Sequence, residues 1–259
     1  MNQPSSPRPS VGLLVTCLVD LLRPNIGFAA MKLLHEAGCD IAVPSQTCCG
    51  QPSYNSGDLE TTKNIARQVI DQFQFFDYVV VPSGSCAGML IKHYPKLFET
   101  EPKYRNRAIE LASRTRELVS FLVNDIGYRV PARRLNGRAT YHDSCAGLRE
   151  LGIKGEPRSL LESIEALELT EMSDSEVCCG FGGTFCVKYG DISARMVSEK
   201  IGSIEATSAD FVLGGDLGCL LNIAGCLSRV GSKIAVYHVA EVASDMIAPG
   251  PIGKDAGST

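Results

Sequence analysis

The residues best equipped for chemistry in this sequence are its cysteines, eleven in 259 positions. Two pairs stand side by side and each is followed by glycine: Cys48-Cys49-Gly50 and Cys178-Cys179-Gly180. Successive side chains of a strand point to opposite faces. Neighbouring thiols therefore meet one object only where the backbone turns sharply, and glycine tolerates such a turn. Each pair is flanked at similar intervals by single cysteines, Cys17 and Cys86 around the first, Cys145 and Cys219 around the second. Eight cysteines thus form two copies of one pattern: Cys, some thirty residues, Cys-Cys-Gly, some forty residues, Cys.

Three chemistries can use such thiols: disulfides, zinc, or an iron–sulfur cluster. Residues 1–10 carry Asn, Gln, Pro and Ser with no apolar stretch after a basic patch, which is not a secretory signal. A cytoplasmic chain is the expectation, and that compartment keeps thiols reduced. An odd total also disfavours a complete disulfide framework. Structural zinc favours Cys-x-x-Cys pairs, yet Asp20, Met89, Leu148 and Asn222 stand three places after the four single cysteines. Four thiolates suit an iron–sulfur cluster, and a cluster accepts adjacent thiolates on different irons. Zinc is the weaker reading.

The remaining candidates weigh less. Cys39 and Cys226 read as packed free cysteines, and Cys186 as either packing or a substitute ligand. His142 and Asp143, just before Cys145, read either as a hydrogen-bonding and proton-supplying pair beside a thiolate or as ordinary strand-end residues. His35, His93 and His238 read as structural or surface residues. Gly180-Phe-Gly-Gly-Thr lacks the dinucleotide-binding spacing; its glycines fit amides approaching cluster sulfurs, as Gly50 would in the first copy. Lys92, His93, Tyr94 and Lys188 read first as solvated loop residues, and second as groups facing an anionic substrate or acidic partner. No nucleophile or general-base constellation stands out, so no catalytic residue is assigned. The formal charge of −4 offers nothing to nucleic acid. The best apolar run, 11–22, contains Asp20 and is too short to span a bilayer.

The elements that must position these thiols are legible around them. Apolar runs ending in Gly, Ser or Asp precede most of the single cysteines, as in Tyr-Val-Val-Val-Pro-Ser-Gly-Ser before Cys86. Such runs read as buried strands entering loops. Helical spacing appears over 25–38, 58–76, 102–126, 191–206 and 239–247. Strands alternating with helices predict an α/β chain of two similar lobes, each a mainly parallel sheet flanked by helices. The expected organisation is a loose segment 1–10, a first lobe 11–128, a linker 129–137, a second lobe 138–250 and a loose tail 251–259. Loops beyond the carboxyl ends of parallel strands gather in one crevice, which lets distant thiols converge.

The chain resembles the cysteine-rich CCG-domain family, found in the B subunit of heterodisulfide reductase, the glycolate oxidase iron–sulfur subunit and the A-type lactate utilisation proteins. The stretches that carry it are Cys-Cys-Gly-Gln-Pro (48–52), Pro-Ser-Gly-Ser-Cys (82–86), Tyr-His-Asp-Ser-Cys (141–145), Cys-Cys-Gly-Phe-Gly-Gly-Thr-Phe (178–185), Gly-Cys-Leu-Leu-Asn-Ile (218–223) and His-Val-Ala-Glu-Val (238–242). The resemblance implies an electron-transfer subunit of an L-lactate oxidation complex, inactive alone, with iron–sulfur and flavin partner subunits from the same operon. In the heterodisulfide reductase subunit a fifth cysteine completes each motif. Here Met89 and Asn222 stand in its place. Four thiolates per lobe therefore imply an ordinary four-iron, four-sulfur cluster, one or two per chain. The alternatives are a disulfide-reducing catalytic subunit and a zinc or thiol redox regulator.

Overall fold

The computed structural model describes residues 8–46 and 48–254. The first sheet is built from β1 (Ser10–Leu13), β2 (Asp40–Ala42), β3 (Tyr78–Val81) and β4 (Thr115–Glu117), in the order β2-β1-β3-β4. The second comprises β5 (Arg134–His142), β6 (Glu165–Leu169), β7 (Phe211–Gly214) and β8 (Ala235–His238), in the order β6-β5-β7-β8. Every strand pair is parallel. The fold is the expected one: two α/β lobes of one topology, executed twice.

In the first lobe, helices α1 (Cys17–Leu22), α2 (Pro24–Glu36), α3 (Gln51–Asn55), α4 (Leu59–Gln72), α5 (Gly84–Gly88), α6 (Tyr94–Leu97), α7 (Pro102–Arg114) and α8 (Leu118–Ser120) connect the strands. In the second, α9 (Cys145–Leu151), α10 (Gly155–Leu161), α11 (Phe185–Lys188), α12 (Gly190–Ala206), α13 (Leu217–Arg229) and α14 (Val239–Ala243) do so. The long helices follow their apolar stripes. Thus α2 buries Ile26, Ala29, Ala30, Leu33 and Leu34 on one face.

Two expectations for helices need correction. The stretch 102–126 is not continuous: Thr115–Glu117 leaves α7 to become β4, paired with β3, before α8 and a π-helical turn at Phe121–Ile126. Edge-strand pairing wins over helical periodicity there, and Thr115 Oγ1 closes α7 by donating to Leu111 O at 2.8 Å. The helix expected over 239–247 ends at Ala243, and Asp245 takes a positive φ of 56°. Strand β5 begins at Arg134, within the stretch read as a linker. The described part of the tail is held in place: Ile252 is buried and its amide donates to Val236 O at 2.8 Å. Residues 1–7 and 255–259, parts of the segments expected to be loose, lie outside the described residues.

Three apolar clusters hold the described residues together. One lies between the sheets and draws on both lobes, including Val11, Leu33, Phe121, Tyr141, Leu213 and Val239. The other two lie on the outer side of each sheet. Between the lobes, α5 crosses α9 with almost no clearance: a Cβ at Gly84 would meet Gly147 Cα at 2.9 Å. Glycine at both crossing points lets the two lobes touch backbone to backbone.

Candidate metal centres

Each single cysteine sits where a strand gives way to a helix. Cys17 opens α1, Cys145 opens α9, Cys86 lies inside α5 and Cys219 inside α13. Ser83 Oγ accepts from Cys86 N, and Ser144 Oγ accepts from Gly147 N, so serine side chains cap the helices that carry two of these thiols. The vicinal pairs follow β2 and β6 in loops. Gly50 and Gly180 adopt φ of 84° and 83°, the left-handed conformation the turn requires. Each glycine amide points back at the first sulfur of its pair, 3.4 Å from Cys48 Sγ and from Cys178 Sγ.

The first-lobe sulfurs converge. Cys17 Sγ lies 3.5 Å from Cys48 Sγ, and Cys49 Sγ lies 3.3 Å from Cys86 Sγ. All four line a cavity of about 380 Å³. In the second lobe Cys145, Cys178, Cys179 and Cys219 line another of about 370 Å³. The two cavities share one layer of residues: Gln51, Ser85, Phe181, Gly183 and Asp216. Phe181 packs against Gly218, where any Cβ would fall 2.3 Å from the ring.

The thiols perturb one another in the same way twice. Hydrogen bonds from Cys17, then Cys49, push the Cys48 thiol down to about 3. Those from Cys145, then Cys179, push Cys178 down to about 2. The donors Cys17, Cys49, Cys145 and Cys179 are held above the usual thiol range, first by these bonds and then by burial. Each set thus gathers four ionisable sulfurs into a small volume, where a bound metal core would relieve the repulsion among their ionised forms. Soft thiolate donors in fours suit an iron–sulfur group or zinc. A single zinc ion sits about 2.3 Å from each sulfur; the clefts of about 380 and 370 Å³ extend beyond the sulfurs themselves.

The other candidates fall out plainly. His142 is 1% exposed, its ring lies beside Cys179 and Cys219 with ligand atoms within 4.8 Å of one another, and neither ring nitrogen has a partner. Burial, aided by the charge of Lys200, depresses its imidazolium to about 3, so the ring is neutral near pH 7. Asp143 is held in a bidentate pair with Arg158 at 2.7 and 2.9 Å. Cys39 and Cys226 are buried in core clusters. Cys186 donates to Gly183 O and lines neither cavity. Met89 is packed in the first-lobe core, and Asn222 donates to Cys179 O at 2.8 Å.

Among the groups expected to be solvated, Tyr94 is fully buried and donates to Cys49 O at 2.8 Å. It therefore supports the first pair as Asn222 supports the second. His238 caps α14, accepting from Ala240 N in a box completed by Glu241. His93 meets Glu150 of the second lobe at 3.3 Å. Sequence reasoning missed Phe181 and Asp216 in the shared wall and Lys200 behind the second sulfur set. A lysine inside a helical pattern gives no local sign that it faces inward.

Among known proteins, the cysteine-rich CCG domain profile matches residues 11–91 and 139–224, one copy per lobe. A protein of Geobacillus kaustophilus (strain HTA426) named "Lactate utilization protein A" is 49% identical over 233 residues, covering 90% of this chain and 97% of that one. Its namesake in Bacillus subtilis (strain 168) is 45% identical over 233 residues, covering 90% and 98%. A crystal structure of a hypothetical protein from Helicobacter pylori shares the fold, with a TM-score of 0.64 at 12% identity. The likeness covers 93% of this chain and 49% of that one, so this chain spans about half of that structure's length.

Proposed function

This chain belongs to the cysteine-rich CCG-domain family, and from that premise we propose that it is an iron–sulfur electron-transfer subunit serving lactate utilisation. Family membership and the relatives' shared name support the role in lactate utilisation. One observation carries the electron-transfer reading: two four-thiol sites of the same construction lie on either side of one wall of side chains. Zinc ions in such sites would have nothing to exchange. One-electron centres placed there make a relay.

Each residue has a role in this reading. Cys17, Cys48, Cys49 and Cys86 hold one group, and Cys145, Cys178, Cys179 and Cys219 hold the other. A bound four-iron, four-sulfur cluster supplies reversible one-electron chemistry. The Gly50 and Gly180 amides donate to the first sulfur of each pair. Tyr94 and Asn222 anchor the carbonyls of Cys49 and Cys179, which fixes both turns from behind. Burial of Cys49 and Cys179, 2% and 1% exposed, excludes water from half of each set. In this reading the oxidation of the hydroxy acid belongs to a partner subunit carrying a flavin or a further iron–sulfur centre. None of the described helices is long and apolar enough to cross a membrane.

Iron and acid-labile sulfide analysis of the anaerobically reconstituted full chain tests this reading. Equal iron and sulfide supports it. Stoichiometric zinc without sulfide rejects it.

A further inference from the structure

The two lobes repeat their backbone and their sulfurs, but not what stands behind the sulfurs. Helices α4 and α12 bury corresponding positions in one register: Thr62 with Ser193, Ala66 with Val197, Ile70 with Ile201. Within that register Val69 of the first lobe corresponds to Lys200 of the second, and both are buried, at 0% and 1% exposure. The strands differ likewise. Three places before the helix-opening cysteine, the first lobe has Leu14 and the second has His142, at 0% and 1% exposure. Leu14 and Val69 belong to the same apolar cluster as Cys49 and Cys86.

The second-lobe replacements are electrically active. Lys200 Nζ donates to the backbone carbonyl of Asp174, while the Asp174 carboxylate accepts from Ser203 at 2.7 Å. Burial lowers the Lys200 pKa, and Asp174, Cys179, Cys145 and Cys178 oppose that lowering, while its positive charge favours the thiolate of Cys219. His142 carries two unpartnered ring nitrogens against Cys179 and Cys219. A neutral imidazole keeps one N–H, and a buried N–H without an acceptor is costly. Sulfur thiolates are the acceptors in reach. Burying a lysine where its counterpart is valine costs stability as well, so the second sulfur set is surrounded at some expense by a cation and a hydrogen-bond donor.

We propose that the two sites are built to be unequal: His142 and Lys200 give the second-lobe centre the more positive reduction potential, and the first-lobe centre is the donor to it. This rests on the iron–sulfur reading above. Adding an electron to a thiolate-bound centre adds negative charge, which a buried ammonium and an N–H donor to sulfur stabilise. Leu14 and Val69 offer the first centre no such relief. With both sites loaded, one electron from a partner's reduced flavin or iron–sulfur group would enter at the Cys17, Cys48, Cys49 and Cys86 site and pass across the shared wall to the Cys145, Cys178, Cys179 and Cys219 site, so that one group would lose the electron that the other gains. His142 and Lys200 act through the cysteine sulfurs and are positioning residues.

The test is an EPR-monitored redox titration of the reconstituted full chain, with iron and sulfide counted on each sample. In the wild type, two centres should titrate at separate potentials, and Cys178→Ser should remove the more positive one. Lys200→Met and His142→Leu should each lower that potential alone. The expected shift is about tenfold in the reduction equilibrium, about 59 mV for a one-electron couple. Iron content should stay at the wild-type level. The wild-type titration and the two core variants are independent, so a variant that misfolds leaves the proposal open to contradiction. Coincident wild-type potentials, or loss of the lower-potential signal in Cys178→Ser, would overturn the proposal and leave the iron–sulfur reading standing. A chain that takes up no iron and sulfide would remove both.

Discussion

Asp216 of the second lobe accepts a hydrogen bond from the backbone amide of Ser85 in the first, at 2.9 Å. The same oxygen accepts from Ser83 Oγ at 3.3 Å. Asp216 is 7% exposed and lies in the wall common to both cysteine cavities. It stands at the start of its own helix, α13, yet its carboxylate caps nothing there and reaches into the other lobe. Replacement by alanine removes the acceptor of the part-buried Ser85 amide and one of the partners of the buried Ser83 hydroxyl. Asp216→Ala should lower unfolding free energy by about 1.5–3 kcal/mol, with Asp216→Asn retaining part of it. Denaturant unfolding of the full chain checks this, and an unchanged midpoint would rule out a bridging role.

The two turn glycines separate conformational strain from collision. A Cβ at Gly50 meets nothing closer than 3.5 Å, so Gly50→Ala carries only the left-handed backbone cost, about 1–2 kcal/mol. A Cβ at Gly180 would lie 2.8 Å from Ser193 O, a backbone atom of α12. Gly180→Ala should therefore destabilise more than Gly50→Ala and displace the second pair. Thermal unfolding with iron retention on both variants checks the order.

Glu117 supplies a pH dependence. It is buried at 5% exposure, and burial raises its carboxyl from 4.5 to about 7, against the lowering effect of amide hydrogen bonds from Ser120 and Val119. An acid whose folded value lies above its unfolded one costs stability as pH rises from the lower value through the higher. The cost is absent below pH 4.5 and complete above about 7, where it is on the order of 3 kcal/mol. Glu117→Gln keeps an oxygen to accept from Ser120 N. It should match the wild type at pH 4 and become progressively more stable than it between pH 5 and 8. A difference that does not change with pH would contradict the assignment.

The cysteines divide by location. Cys48→Ser and Cys178→Ser each remove a member of a converging set and should each abolish about one cluster's worth of iron. Cys39→Ser and Cys226→Ser alter packed thiols in the core clusters and should leave iron content unchanged. Equal losses from Cys39→Ser and Cys48→Ser would break the two-copy assignment.

The convergence of the eight cysteines was legible because their doubled spacing stands out against the rest of the chain. The parallel sheets were legible because strands such as β3, buried on both faces, read as unbroken apolar runs. The break at Thr115 was not: β4 is three residues long, and only its partner β3 distinguishes it from the helix before it. Tyr94, Phe181 and Asp216 act across long sequence separations, as Asp216 does toward Ser85, and nothing local marks such contacts. Lys200 reads as a solvent-facing residue until α12 is set beside α4 and found to bury the same face.

The most direct test of two iron–sulfur sites in one chain is the iron and acid-labile sulfide content of the anaerobically reconstituted wild type, read together with its reduced EPR spectrum. Two sites of like construction predict iron and sulfide in equal amounts, at about twice the content left in Cys48→Ser or Cys178→Ser, with the signals of two reduced centres. A colourless chain holding zinc and no sulfide would contradict it.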